Sequence, residues 1–389
     1  MAATLMLACS NDKSGGHDGD EGVETEVNGT QLDGNTTLYG LVTDTSGNPV
    51  PGVVVSDGYG CVTTDANGVY QMERYKKARF VHYSTPAGYA VNTSADNYPL
   101  FYSEIVHKNI ADRHDFVLTP LPAPESDFTL VCIADPQCAT TAEISRYVNE
   151  TIPDVETTVD GYKAKGTPVY GITLGDIVFD TPDLWSNMKE SMANRNLPIF
   201  QTIGNHDHLQ TETSDDNAAA NFETQFGPRN YSFNRGDVHI VSMDNVLYEG
   251  KKKYKGGKQL EWLRQDLSHV DKDKLVIFCA HIPFRGGTSV TDESHENYDA
   301  CGLVRPHAVV AGAAELRGQD IRVIDDLVTV QNDGVFDVIP GHIQGGDVVA
   351  GAVIGVFDEL QAGVFPLQPG KLRLQIPHHH IDLPNPVAV

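Results

Sequence analysis

Five apolar runs in this sequence end in residues able to bind a metal or move a proton. Phe128 to Ala134 ends in Asp135-Pro136-Gln137, and Val169 to Leu174 ends in Gly175-Asp176. Leu197 to Ile203 ends in Gly204-Asn205-His206-Asp207, Leu275 to Ala280 in His281, and Val335 to Pro340 in Gly341-His342. A lone Asp or His after a strand is most simply a helix cap or a turn former. Its recurrence along one chain points to a shared site, because the buried strands of an open α/β sheet present ligands at their carboxyl ends. Gly204-Asn205-His206-Asp207 sets an uncharged oxygen ligand, a proton donor and a carboxylate side by side, which is metal-site chemistry.

The elements that must position these residues follow from patterning. From Thr37 to Leu121 short strands alternate with turns such as Ser46-Gly47-Asn48 and Thr64-Asp65-Ala66-Asn67-Gly68, which predicts a small all-β sandwich over 37–122. It carries no catalytic constellation and reads as a spacer or docking module. Pro120 to Pro124 (PLPAP) is a stiff linker, since proline fixes φ and resists helix and sheet alike. Beyond it, strands alternate with amphipathic stretches at 142–148, 184–192, 218–226 and 259–267, which predicts an α/β domain over 123–300. Tyr231 to Asn245 reads as a hairpin turning at Asn234-Arg235-Gly236, so the sheet is expected to be mixed. Leu41 and Trp262 fit core positions, and Cys132, Cys138 and Cys279, beside strands, fit buried small apolar residues better than a disulfide framework.

The ordered set Asp135-x-Gln137, Gly175-Asp176-x-x-x-Asp180, Gly204-Asn205-His206-Asp207, His281 and Gly341-His342 resembles the calcineurin-like metallophosphoesterase superfamily, whose pattern is D-x-H, G-D-x-x-D/N, G-N-H-D/E, H and G-H-x-H. The fold this implies is α/β (α+β): a metallophosphoesterase β-sandwich of mixed sheets flanked by helices. The resemblance also implies hydrolysis of a phosphomonoester or phosphodiester by attack of a metal-bridging hydroxide. Two divalent cations, of Mn, Fe, Zn or Mg, would be needed. Asp176 would bridge them, Asp135 and Gln137 would hold the first with it, and Asn205, His281 and His342 would hold the second. His206 would protonate the leaving ester oxygen, with Asp207 orienting its ring. Two departures stand out. Gln137 replaces the commonest His, which favours Mn²⁺ or Mg²⁺ at the first position. Asp180 lies one residue further along than in G-D-x-x-D, which suits a helix N-cap. The run GLVTDTSGNPVPGVVVSDGYGCVTTDANGVYQM resembles carboxypeptidase-regulatory-like, transthyretin-like modules that precede enzymes in secreted bacterial proteins.

The chain has 389 residues, 40% hydrophobic and 21% charged, with a formal charge of -25. Those values suit a multidomain globular protein, and the acidity argues against a nucleic-acid partner, which needs basic patches. Bound cations could still reverse the local field for a small phosphate ester. Leu5-Met6-Leu7-Ala8-Cys9 resembles a bacterial lipobox, and residues 10–34 form a polar tether, so residues 1–36 imply membrane association through a lipidated Cys9. The acidic start Ser10-Asn11-Asp12-Lys13 resembles Bacteroides-type export signals, and together these resemblances imply a cell-envelope location as an outer-membrane lipoprotein, periplasmic or surface-exposed. Residues 301–389 contain no Tyr or Trp and one Lys, Lys371, while all 15 Tyr precede them. Gly341-His342 lies 61 positions after His281 and lacks the second His. The segment is therefore either a divergent ending or a replaced reading frame. A catalytically degenerate, surface-exposed binding lipoprotein is the rival to an enzyme. Oligomeric state and substrate identity are left open by the sequence.

Overall fold

The structure is a computed structural model that describes residues 24–107, 110–253, 257–271 and 274–282. It also describes the strands Ala308–Ala314, Asp326–Val330, Phe336–Pro340 and Gly351–Val356. Cys9 and His342 lie outside the described residues, so the lipobox and the last ligand of the expected set have no structural account.

The α/β half is layered as its patterning implies. Strands Thr129–Ile133, Val169–Leu174 and Ile199–Thr202 run parallel in that order, every residue buried. Full burial on both faces is why these segments read as continuous apolar runs rather than alternating ones. Leu130 and Cys132 face an inner core with Ile172, Phe200, Ile240, Ile277 and Cys279, whereas Val131 and Ile133 face an outer core with Ile144, Val155, Val159, Met188 and Phe222. The inner partner is a mixed sheet containing Tyr231–Arg235, Val238–Ser242, Leu275–Ala280, Ala308–Ala314 and Gly351–Val356. Helix Gln259–Ser268 covers its far side through Trp262 and Leu263, against Val241, Val276 and Phe278. Helix, sheet, sheet and helix thus stack in four layers, the mixed-sheet sandwich that the family pattern implies.

Two expectations change. Helix Thr141–Arg146 opens on a capping box between Thr140 and Glu143, then passes through a π turn, Tyr147–Thr151, into a further helix, Ile152–Lys163, with a proline in its first turn. The periodic stretch at 142–148 marks only the beginning of that crossover. The apolar strand Leu275–Ala280 is paired in parallel on its two sides, by Val238–Ser242 and Ala308–Ala314.

The N-terminal module is indeed a sandwich of two four-stranded sheets, but it is no spacer. Phe101 packs against both Phe200 and Tyr231, with ring centroids 5.7 and 4.8 Å away, so the cores of the two halves are continuous. Trp262 Nε1 donates to Ser56 Oγ at 3.1 Å, Arg79 reaches Glu223 at 3.0 Å, and Asn234 N donates to Thr85 O at 2.8 Å. The proline-rich linker is itself pinned, with Leu121 N donating to Gly88 O at 2.9 Å. Among the described residues no helix is long and apolar enough to cross a membrane.

Candidate metal centre

The strands that end in polar residues deliver them to one place. Loops leaving Thr129–Ile133 and Val169–Leu174 run side by side: Gln137 N donates to Asp176 O at 2.7 Å, and Cys138 bridges Val178 in parallel. That short ladder holds four non-glycine residues at positive φ, namely Asp135 at 50°, Gln137 at 43°, Asp176 at 47° and Asp180 at 52°. Left-handed backbone at such residues costs free energy that the surrounding structure must offset, and it clusters where function demands it.

Asp176 lies at the middle of the cluster and is 1% exposed. Its Oδ2 has Gln137 Nε2 at 2.9 Å, His281 Nε2 at 3.0 Å and His206 Nε2 at 4.0 Å. Its Oδ1 accepts from the His206 backbone N–H at 2.7 Å. Asp135, Asn205 and His281 are buried beside it in sequence-matched positions. Gly204 and Gly175 are glycines for a steric reason: a Cβ at Gly204 would stand 2.1 Å from Asp176 N, and one at Gly175, whose φ is +85°, would stand 2.6 Å from His281 Cβ. These glycines let three loops close on one carboxylate.

Burial raises the pKa of Asp176, yet the charges and hydrogen bonds of His281 and His206 outweigh it and hold the carboxyl at about 2. Burial works against a charged His281, but the Asp176 carboxylate, then Asp135, pushes it up to about 10. In the metal-free protein the imidazolium of His281 therefore stands in for a cation at Asp176. The donors suit a divalent metal. His281 Nδ1 faces Leu174 O at 2.9 Å and must donate to it, which turns Nε2 toward Asp176, the arrangement that orients a ligating His. Separations near 3.0 Å between Asp176 Oδ2 and the nitrogens of Gln137 and His281 match two adjacent ligands each about 2.1 Å from one cation. Rotation of the Gln137 amide would exchange its nitrogen for its oxygen. Asp135, Gln137 and Asp176 can serve one cation, and Asp176, Asn205 and His281 a second.

Two assigned roles change. Asp207 does not orient His206. Its Oδ1 accepts from Ile177 N at 2.8 Å and Val178 N at 3.1 Å, and its Oδ2 from Gly204 N at 2.7 Å, so it ties two loops together. Burial, then the nearby Asp176 charge, pushes Asp207 up to about 7 against those N–H groups. The carboxylate beside the His206 ring is Asp180, 2.9 Å from Nδ1. Asp180 is no helix cap either, since Thr181 precedes the short helix Pro182–Leu184. The extra residue in Gly175-Asp176-x-x-x-Asp180 is absorbed by the left-handed turn at Asp180, which is why spacing alone misplaced it. Phe179, 41% exposed, stacks on His206 with centroids 4.2 Å apart; no motif announced it.

Residues 36–121 match the family model described as N terminal of Calcineurin-like phosphoesterase, and residues 128–312 match the one described as Calcineurin-like phosphoesterase. The second match runs past residue 300 and takes in most of the strand Ala308–Ala314. A solved structure of a purple acid phosphatase from yellow lupin (Lupinus luteus) seeds aligns with 43% of this chain and 32% of its own, at 17% identity and a TM-score of 0.32. The aligned part thus spans about a third of that protein. No curated protein matches the chain.

Proposed function

We propose that this chain, whose two matched modules are those of calcineurin-like, metal-dependent phosphoesterases, hydrolyses small phosphate esters at the Asp176 cluster with two divalent cations. The carrying observation is the convergence of Gln137, His281 and His206 on one buried carboxylate oxygen. When bound, the cations would supply an activated water and positive charge for the developing phosphoryl oxygens. Asp176, placed between the two donor sets, would share its oxygens between them. His206, at the solvent edge of the cluster with Asp180 at Nδ1, is set to give a proton from Nε2 to a departing ester oxygen. Phe179 covers one face of that imidazole and limits its rotation. Asp207 keeps the His206 loop and the Asp176 loop in register.

Turnover of p-nitrophenyl phosphate and its bis-ester with added Mn²⁺, run beside a metal count, tests this reading. About two metal equivalents with turnover are expected; a folded, metal-free, inactive protein would favour the binding lipoprotein instead. We further infer attachment to the cell envelope through Cys9, supported by Leu5-Met6-Leu7-Ala8-Cys9 and the polar stretch after it. Cys9→Ala should move the protein to the soluble fraction, and its retention with membranes would remove the lipobox.

A further inference from the structure

A second buried charged assembly grips the Gly204-Asn205-His206 turn from a different residue, His208. Its Nδ1 lies 2.9 Å from Gly204 O and its Nε2 lies 3.2 Å from Asp244 Oδ2. A carbonyl oxygen can only accept, so Nδ1 donates; the carboxylate likewise takes a proton from Nε2, which makes His208 an imidazolium. Asp244 Oδ2 also takes Arg229 Nη1 at 2.9 Å, and the same Nη1 lies 2.9 Å from Asp215 Oδ2. Arg229 Nη2 is 3.3 Å from Asp216 Oδ1. Asp216 in turn belongs to the module interface, because Tyr59 OH donates to it at 2.9 Å and Lys77 Nζ at 2.6 Å. His208, Asp215 and Asp244 bring ligand-type atoms within 4.8 Å of one another. The Arg229 guanidinium between two of those carboxylates already supplies the cation, so this is an ion network and no third metal site.

We propose that His208 is a positioning residue for the turn that carries Asn205 and His206, and that the N-terminal module helps hold it through Tyr59, Lys77, Asp216, Arg229 and Asp244. This rests on the phosphoesterase reading of the Asp176 cluster. Gly204 is held at its N–H by Asp207, at its α-carbon by the close approach of Asp176, and at its carbonyl by His208. Releasing the carbonyl frees the peptide plane that leads directly into Asn205. A shift approaching 1 Å at a reacting group can cost about a hundredfold in rate. The same network closes on Asp216, a half-buried residue at the module's edge, with Tyr59 and Lys77 as its outermost members. The β module is then a working part of the catalytic unit.

Two substitutions in the full-length protein separate this from a purely structural role. His208→Asn and His208→Gln both remove the positive charge. The Asn amide nitrogen coincides with Nδ1 and keeps the bond to Gly204 O, whereas the Gln amide nitrogen coincides with Nε2 and keeps only the bond to Asp244. We expect His208→Gln to lower kcat about tenfold or more with KM little changed, and to weaken Mn²⁺ binding measured by calorimetry. His208→Asn, which keeps the bond to Gly204 O and gives up the link to Asp244, should fall only several-fold in both readouts, well short of the loss in His208→Gln. Equal behaviour of the two variants, or a loss of Tm alone, overturns the assignment. Tyr59→Phe/Lys77→Met should lower kcat several-fold, and by less when combined with His208→Gln; independent, multiplicative effects would remove the module from the device. If His208→Gln does not fold, unchanged kcat and Mn²⁺ affinity in Tyr59→Phe/Lys77→Met overturn the proposal. If the parent protein turns over no phosphate ester, the phosphoesterase reading fails, and the Mn²⁺ affinities of the Asn and Gln variants still decide the brace.

Discussion

In the proposed reaction Asp176 is the side chain on which the chemistry turns, because a buried carboxylate can face two cations where a neutral amide cannot. Asp176→Asn should abolish hydrolysis and reduce bound metal; full activity with two equivalents retained would refute the shared-ligand role. His206→Ala should behave differently, keeping metal while losing roughly 10²–10⁴ in kcat on poor leaving groups. Metal loss in that variant would make His206 a ligand. Proton linkage gives a further test. His281 keeps its proton to about pH 10 in the metal-free protein, so cation uptake at neutral pH must expel it. Apparent affinity should rise by up to ~tenfold per pH unit below that value. Addition of Mn²⁺ to weakly buffered protein at pH 7 should release protons, and His281→Gln should suppress most of that release. The signs for stability differ between the partners. The raised pKa of His281 stabilises the metal-free fold fully below the unfolded value near 6.5, and that contribution is lost as pH rises through about 10. The lowered pKa of Asp176 contributes above 3.8 and is lost as pH falls toward about 2.

At the scale of elements, the centre depends on how closely the strand-end loops approach. Gly204→Ala places a methyl group 2.1 Å from Asp176 N and 2.2 Å from its Oδ1, both inside a buried site. Overpacking of this kind costs about 1–3 kcal/mol, and the displaced loop carries Asn205 and His206. We expect a lower Tm together with a loss of metal affinity; wild-type metal binding in Gly204→Ala would show that the loops have slack. The C-terminal strands bear on the same question. Ala308–Ala314 covers one side of Leu275–Ala280, so aggregation driven by a bare edge there is not expected. If Gly341-His342 completes the second cation site, His342→Ala should weaken metal binding by roughly 10- to 100-fold. An unchanged metal count would take His342 out of the set.

For the whole molecule, the continuous core through Phe101, Phe200 and Tyr231 makes the two sandwiches one cooperative body. We expect a single calorimetric transition with equal calorimetric and van't Hoff enthalpies. Two resolved transitions would mean that the interface is weak. Arg79→Ala removes the pair with Glu223 and the bond to Ala220 O, leaving the mostly buried Glu223 carboxylate only its longer contact with Arg229 Nε at 3.5 Å. A loss of about 1–3 kcal/mol should follow, read as a lower denaturant midpoint without a change in slope.

The sequence by itself determined the strand-end polar residues of the cluster and the layered class of the catalytic half, because apolar runs and the residues that stop them are local patterns. Asp135, Gln137, Asp176, Asn205, His206 and His281 could be chosen from type and spacing because they follow four strands within a few residues, and parallel strands of one body end on the same side. It also carried the hairpin after Tyr231 and the buried character of Cys132, Cys138 and Cys279. Tertiary structure alone decided the partners. Asp180 takes the place beside His206 that adjacency offered to Asp207, because a left-handed turn redirects it. Arg229, Asp244 and His208 meet across separations that carry no periodic signal, and the module's grip on the catalytic half comes from single contacts such as Trp262 to Ser56. Long-range contacts depend on where loops close in space, and loop closure leaves no mark in composition or spacing.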